Sequence, residues 1–229
     1  MLKNQYKFKV TKNQLIDKYM PKKSFYWNGR RYVIDVDPNY CFWGSPYHSS
    51  EPDGNGYGVY APVIAQSAYK YLKAKGKLDD YNIELHTDYY TGNNPNKLKF
   101  DPTMLKLGDT KITEGLSKRG IMDELEKGHN VIVWYNVASS PYVSSTQTLK
   151  KGGKYTKPGK GSYTFKWYAH QHTAVITGYD DATDQFIIAN VWNNNSSSGT
   201  GVYTYIKYDH FMSGYTTLGR QSVVVYRKN

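Results

Sequence analysis

The stretch His172-Thr173-Ala174-Val175-Ile176-Thr177-Gly178-Tyr179-Asp180 carries the clearest fold signal in the chain. Its β-branched and apolar residues favour an extended strand. A second strand is predicted at Phe186-Ile187-Ile188-Ala189, close enough for an antiparallel hairpin. Residues 131–135, 202–208 and 222–226 have the same character. The C-terminal half is therefore expected to form a mostly antiparallel sheet.

Helical patterns precede these strands. Thr11-Lys12-Asn13-Gln14 has the form of a capping box, in which two side chains satisfy free amides at a helix start, and the helix should end at Pro21. A longer helix is predicted over 59–75, where apolar residues recur at helical spacing up to Gly76. A third is predicted from a Ser117 cap to Gly128. This order predicts an α+β fold, with a helical half packed on the sheet.

Length and composition predict one domain over residues 1–229, with a Ser, Gly, Lys and Thr rich loop at 138–164 inside it.

Thirty Lys and Arg residues against 19 acidic ones give a net charge of +11. The lysines are dispersed and no nucleic-acid module accompanies them, so the charge fits a solvated surface, or contact with an anionic cell-wall polymer, better than nucleic acid. No apolar run is long enough to predict a membrane span. Oligomeric state stays open.

The histidines at 170 and 172 offer two kinds of chemistry. In extended backbone they would share a face and could contribute to a metal site, but two ligands are too few, so neither a metal nor another cofactor is predicted. Alternatively, His172 could act as a general base or acid. Asn190 ends the next predicted strand, so a hairpin would bring it beside His172 to orient the ring. A histidine that is merely packed at a strand start is the structural alternative.

Four segments in order resemble the papain-like cysteine peptidase domains of the bacteriocin-processing (double-glycine) peptidase family, cysteine-peptidase family thirty-nine, and its peptidase-like branch. They are Asp37-Pro38-Asn39-Tyr40-Cys41-Phe42-Trp43-Gly44-Ser45-Pro46-Tyr47, Gly56-Tyr57-Gly58-Val59-Tyr60-Ala61-Pro62, residues 125–134 and the strand from His172 to Asp180. The resemblance runs from about residue 10 to residue 226.

The resemblance implies a papain-like fold and a bacterial thiol hydrolase of peptide or amide bonds. In this family a cysteine at a helix N-terminus is paired with a histidine, which an Asp or Asn on the following strand orients. The helix start and the imidazolium lower the pKa of the thiol and make the thiolate the nucleophile. His172 matches the base. Asn190 matches the orienting residue, although Val191 departs from the proline that follows it in most relatives.

The resemblance places the nucleophilic cysteine about two helical turns upstream of Met1. The domain is therefore expected to be N-terminally incomplete and inactive as given. Because the helix that carries the nucleophile is central in such domains, an exposed apolar groove is expected along 59–72. The single cysteine, Cys41, is a weak substitute, since its turn-rich surroundings start no helix that would lower the pKa of its thiol.

Two functions remain open from the sequence. The chain is either the body of a cysteine peptidase whose nucleophile lies upstream, or a non-catalytic module that binds peptide or cell-wall polymer in the same cleft. An extracellular or cell-surface location is expected if a longer native chain exists, and a cytoplasmic one if Met1 is the true start.

Overall fold

The helices of the N-terminal half begin close to their predicted positions. The structure is a computed structural model that describes residues 7–23, 26–27, 32–33, 37–43, 58–90, 100–138, 140–149, 163–189 and 203–228. The capping box is present, because the Thr11 hydroxyl accepts from the Gln14 amide and the Gln14 side chain accepts from the Thr11 amide. Within these residues the helices are α1 (Lys12–Tyr19), α2 (Ala61–Ala74), α3 (Lys118–Glu126) and α4 (Tyr208–Thr217), with a 3-10 turn at Pro102–Met104.

A seven-stranded sheet forms the centre of the fold. Its strands are β5 (Tyr81–His86), β6 (Lys111–Thr113), β7 (Val131–Asn136), β10 (Gln171–Asp180), β11 (Gln185–Ala189), β12 (Tyr203–Lys207) and β13 (Ser222–Arg227). Their order is β12-β11-β10-β7-β13-β5-β6, and every pair is antiparallel except β5 with β6. Smaller two-stranded pairings join β1 (Lys22–Lys23) to β4 (Phe42–Trp43), β2 (Tyr26–Trp27) to β3 (Tyr32–Val33), and β8 (Val143–Leu149) to β9 (Tyr163–Tyr168).

Helices cover both faces of this sheet. Alternate residues of β7 point to opposite sides, as the two-residue period of a strand requires. Trp134 belongs to the core beneath α2, whereas Val133 and Tyr135 belong to the core that α3 and α4 complete. The arrangement confirms the predicted α+β class with a mostly antiparallel sheet. In the part of the chain that the structure describes, no helix is long and apolar enough to cross a bilayer.

Three details of the predicted element order are corrected. The sheet takes β5 and β6 from the N-terminal half, so strands and helices are less segregated than expected. The strand predicted over 202–208 stops at Lys207, because Tyr208 begins α4. The loop predicted at 138–164 contains β8, which is held by its ladder with β9, and residues 150–162 of that loop lie outside the described residues.

The apolar groove expected along 59–72 is also corrected, because α2 is covered on two sides by this chain. On one side, Tyr19 of α1 and Phe8 each meet Tyr71 edge-on, with ring centroids 5.5 Å apart. On the other side, α2 packs against β5 and β13. Leu72 is fully buried as a result. The helix 61–74 is therefore itself a central, covered helix of the fold.

A candidate site around His172

His172 is the second residue of β10, and its ring lies on the same face of the sheet as the ring of Tyr135 on the neighbouring strand β7. Its Cα partner is Tyr135 of β7, and the two rings meet edge-on with centroids 5.8 Å apart. Tyr135 packs in turn on Phe211 of α4, with centroids 5.3 Å apart, and burial raises the pKa of its hydroxyl. The imidazole is half-buried. It is thus held on a strand inside the sheet and still reaches the surface.

The residues that lead into α2 are hydrogen-bonded to β7 close to His172. Trp134 Nε1 donates a hydrogen bond of 2.6 Å to the Val59 carbonyl. Trp134 is the Cα partner of Thr173, the residue after His172. The segment that leads into α2 is therefore bonded to the β7 residue that pairs with Thr173, one position from His172 along β10.

Gln221, buried at the start of β13, completes this attachment. Its side-chain oxygen accepts from the Ala61 amide at 3.1 Å, and its main-chain carbonyl accepts from the Trp134 amide at 3.1 Å. Its side-chain nitrogen donates to the Leu218 carbonyl at 3.0 Å. Gln221 thus ties the first residue of α2 to β7 through its main chain and to the end of α4 through its side chain.

A cavity of about 180 Å³ lies between the start of α2 and the start of β10. Four aromatic residues form much of its wall: Phe42, Tyr60, Trp134 and Trp167. Gln171, His172 and Thr173 supply polar groups, and Gly58 with Val59 closes the helix side. A cavity of this size suits one side chain or one amide group rather than a drug-sized ligand, since typical ligand pockets measure roughly 300–1,000 Å³.

Tyr60 is the N-cap residue of α2 and stands on the helix side of this cavity. It is 1% exposed, and its ring stacks on Trp167 with centroids 6.0 Å apart. Among the described residues, its hydroxyl has no hydrogen-bond partner of good geometry, although Tyr89 and Gln171 lie near enough to affect its ionisation. Burial, and then the charge of Asp37, raises the pKa of Tyr60 far above its ordinary value. The phenol is therefore neutral across the physiological pH range.

The backbone amides at the start of α2 are already occupied. A helix ordinarily leaves its first N–H groups free, and such groups can stabilise an oxyanion. Here Tyr60 N donates to the Pro38 carbonyl at 2.9 Å, Ala61 N donates to Gln221, and Val63 N donates to the Tyr60 carbonyl at 3.2 Å. Pro62 has no N–H. In this conformation the residues from Tyr60 to Val63 therefore offer no free backbone donor.

The two histidines considered as a metal pair do not share a strand face. His170 lies in the turn before β10 with a φ of +55°, and its ring meets Tyr142 with centroids 5.6 Å apart. His172 lies on the strand and meets Tyr135. Across the ranges that the structure describes, no group of three His, Cys, Asp or Glu residues is placed to hold a metal ion.

Asn190 and Cys41 are the other two residues considered for the site. Asn190 is outside the described residues, so its orienting role stays a prediction. The hairpin expected to carry it is present, and Ala189, the last residue of β11, pairs with Val175. Cys41 is 0% exposed, its Sγ lies 3.4 Å from the Phe42 carbonyl oxygen, and no helix begins there. It is not among the described residues that line the cavity.

Three residues of this site escape the sequence-based reasoning: Tyr60, Trp134 and Gln221. A signal for Tyr60 exists, because Pro62, two residues after it, marks the first turn of a helix. Trp134 and Gln221 are brought together by the pairing of β7 with β13. Side chains joined across such sequence distances leave no local pattern.

Comparisons with known proteins agree with the geometry. No curated protein matches the chain by sequence. Among solved structures, it is similar to a Bacillus anthracis protein described as a C39-like peptidase, with 18% identity and a TM-score of 0.59 over 97% of this chain and 82% of that one. That likeness supports the papain-like α+β fold. The family model of the Peptidase C39-like family matches residues 1–223. The chain therefore belongs to the Peptidase C39-like family.

Proposed function

We propose that this chain is a C39-like domain that holds a peptide or amide group in the cavity beside His172 without cleaving it through a thiolate. The observation that carries the proposal is that the helix start sharing this cavity with His172 belongs to α2 and carries Tyr60. The described helix start beside His172 therefore carries a phenol and not a thiol.

The groups present at that position argue against thiol chemistry. Tyr60 is a neutral, buried phenol, because burial and Asp37 raise its pKa. The amides of Tyr60, Ala61 and Val63 already donate to protein oxygens, so they are not free to stabilise a tetrahedral oxyanion. Cys41 is fully buried. An accessible low-pKa thiol, which nucleophilic catalysis needs, is thus missing from the described part of this cavity.

The same cavity is suited to binding. Its aromatic walls would bury an apolar side chain, and aromatic groups dominate the energy of such contacts. Gln171, His172 and Thr173 line one side and carry groups that can exchange hydrogen bonds with an amide. Peptide is also the substrate class that the family suggests.

Binding and cleavage can be measured on one set of samples. The probes are N-acetylated amino-acid amides with aromatic, aliphatic and charged side chains. We expect the NMR signals of His172 and Trp167 to shift on titration with aromatic or aliphatic probes, while mass spectrometry finds no hydrolysis. His172→Ala should weaken binding about fivefold or more, since one good polar contact is worth about 1 kcal/mol. His170→Ala, a histidine outside the cavity, is the matched control and should bind as the unaltered chain does.

Two results would overturn the proposal. Hydrolysis of a probe that is lost in His172→Ala would show a working peptidase, as would His172-dependent labelling of Cys41 by iodoacetamide. Equal binding by His172→Ala and the unaltered chain would show that this cavity is not the binding site.

A further inference from the structure

A larger cavity, of about 480 Å³, lies between the end of α1, the middle of α2 and the residues after the 3-10 turn, and Tyr40 also lines it. Lysines from three separate segments line it: Lys18 at the end of α1, Lys70 on α2, and Lys106 after the 3-10 turn. Met20, Met104 and Leu105 add apolar surface to the wall. It shares no described lining residue with the His172 cavity. The two cavities are therefore separate places on the fold.

The positive charge of this cavity is not neutralised by the described residues. None of the three lysines forms an ion pair with a carboxylate among them, and Lys70 Nζ donates instead to Gln66 Oε1 at 3.0 Å. Carboxylates on the same segments have other partners: Asp17 pairs with Lys22, and Asp101 accepts from Thr103. Burial, and then the charge of Lys106, lowers the pKa of Lys70. An anion placed between these ammonium groups would relieve their mutual repulsion.

We propose that this cavity binds an organic anion that joins a multivalent oxyanion to an apolar or aromatic body. The three lysines supply the charge, because ammonium groups bind phosphoryl and paired carboxylate groups as point charges. The methionines and Leu105 receive the body, since thioether side chains adapt to varied apolar shapes. The volume lies in the range of ordinary small-molecule sites, roughly 300–1,000 Å³.

Isothermal titration calorimetry with four probes tests both halves of the proposal. Phenyl phosphate and benzene-1,3-dicarboxylate carry charge and body, inorganic phosphate carries charge alone, and phenol carries body alone. We expect the first two to bind about tenfold or more tightly than the last two, in line with one tenfold step per about 1.4 kcal/mol. Whichever of the first two binds more tightly identifies the oxyanion as phosphoryl or carboxylate. Affinity should fall as ionic strength rises.

Substitutions locate the binding. Lys70→Gln and Lys106→Gln should each weaken phenyl phosphate binding about fivefold, the effect of about 1 kcal/mol. Lys73→Gln makes the same change in net charge on an exposed turn of α2 and should leave the affinity unchanged. Equal weakening by Lys73→Gln would overturn the proposal, since it would reflect net charge alone. Equal affinity for inorganic phosphate and phenyl phosphate, or no binding at millimolar probe, would overturn it as well.

Discussion

At the scale of single residues, Tyr60 and Tyr215 are both buried tyrosines, but their hydroxyls differ. Tyr215 donates to the Ser222 hydroxyl at 3.1 Å, whereas the Tyr60 hydroxyl has no partner of good geometry within the described part of the chain. A buried polar group without a partner costs free energy, and removing it is close to neutral or stabilising. The hydroxyl of Tyr60 is therefore a candidate for a functional rather than a stabilising role.

Replacing each tyrosine with phenylalanine separates these two cases. Tyr60→Phe should leave the free energy of unfolding unchanged or raise it by up to about 1 kcal/mol. Tyr215→Phe should lower it by about 1 kcal/mol, because the Ser222 hydroxyl loses its partner. Urea denaturation measures both. A loss in Tyr60→Phe as large as that in Tyr215→Phe would mean that the Tyr60 hydroxyl is bonded in solution.

Sequence reasoning finds some of these residues and not others. His172 is identifiable because a histidine opens a strongly β-branched run and because the family motif surrounds it. Tyr60 was included in a resembling segment, but its position at the cavity depends on Trp134 and Gln221, which hold the start of α2 on the sheet. Such contacts depend on the assembled sheet and leave no periodicity in the chain.

At the scale of elements, α4 lies directly on the backbone of β7. A Cβ added to Gly214 would come within 2.2 Å of the Asn136 carbonyl oxygen. Asn136 is fully buried, and its side chain donates to the Ala169 carbonyl and accepts from the Ala138 amide at 2.9 Å. Neither backbone can move freely, so the missing side chain at Gly214 is what permits this close approach.

Gly214→Ala should therefore destabilise the protein by about 1–3 kcal/mol, the usual cost of overpacking, despite the better helix propensity of alanine. Ser213→Ala, one residue earlier on an exposed position of α4, should change stability by less than about 0.5 kcal/mol. Thermal unfolding of the two variants provides the comparison. An unchanged Tm for Gly214→Ala would show that α4 does not approach β7 so closely.

The sequence predicts the elements that have local signals and misses those that depend on contacts with the rest of the fold. The helices α1 and α3 have caps that can be recognised in the chain, at Thr11 and Ser117, and both are present. The helix α4 was missed because Tyr-Asp-His-Phe-Met-Ser-Gly-Tyr-Thr-Thr has weak helix propensity, and its buried residues pack on the sheet instead. The short strand β6 was missed because it depends on a parallel pairing with β5.

At the scale of the whole molecule, Glu84 connects strands that lie far apart in sequence. It is buried in β5, accepts from the Tyr226 hydroxyl of β13 at 2.8 Å, and lies 3.4 Å from Lys111 of β6. Its neighbour His86 is also 3.4 Å away. His86, then Tyr226 and Lys111, lowers the pKa of Glu84 to about 2, against the opposing effect of burial.

This depressed pKa predicts how stability depends on pH. Glu84 stabilises the fold fully above its unfolded pKa of 4.5, and this contribution is lost as the pH falls toward about 2, because the unfolded state takes up the proton first. The loss is at most about 3 kcal/mol. Glu84→Gln should flatten the fall in unfolding free energy between pH 5 and pH 2, measured by denaturant titration. Glu126→Gln, at an exposed carboxylate, should retain the slope; equal slopes in all three proteins would contradict the assignment.

The most direct test of the central claim, that the cavity beside His172 does not activate a thiol, places one at the start of α2. Tyr60→Cys, in a Cys41→Ala background, should react with iodoacetamide only at or above the ordinary thiol pKa of about 8.5, with or without His172, because burial and the charge of Asp37 disfavour an anion at this position. Thr173→Cys, a thiol on the strand side of the same cavity, should titrate ordinarily and shows that the reagent enters. A Tyr60→Cys thiol that reacts well below its ordinary pKa, and loses this reactivity on His172→Ala, would contradict the account.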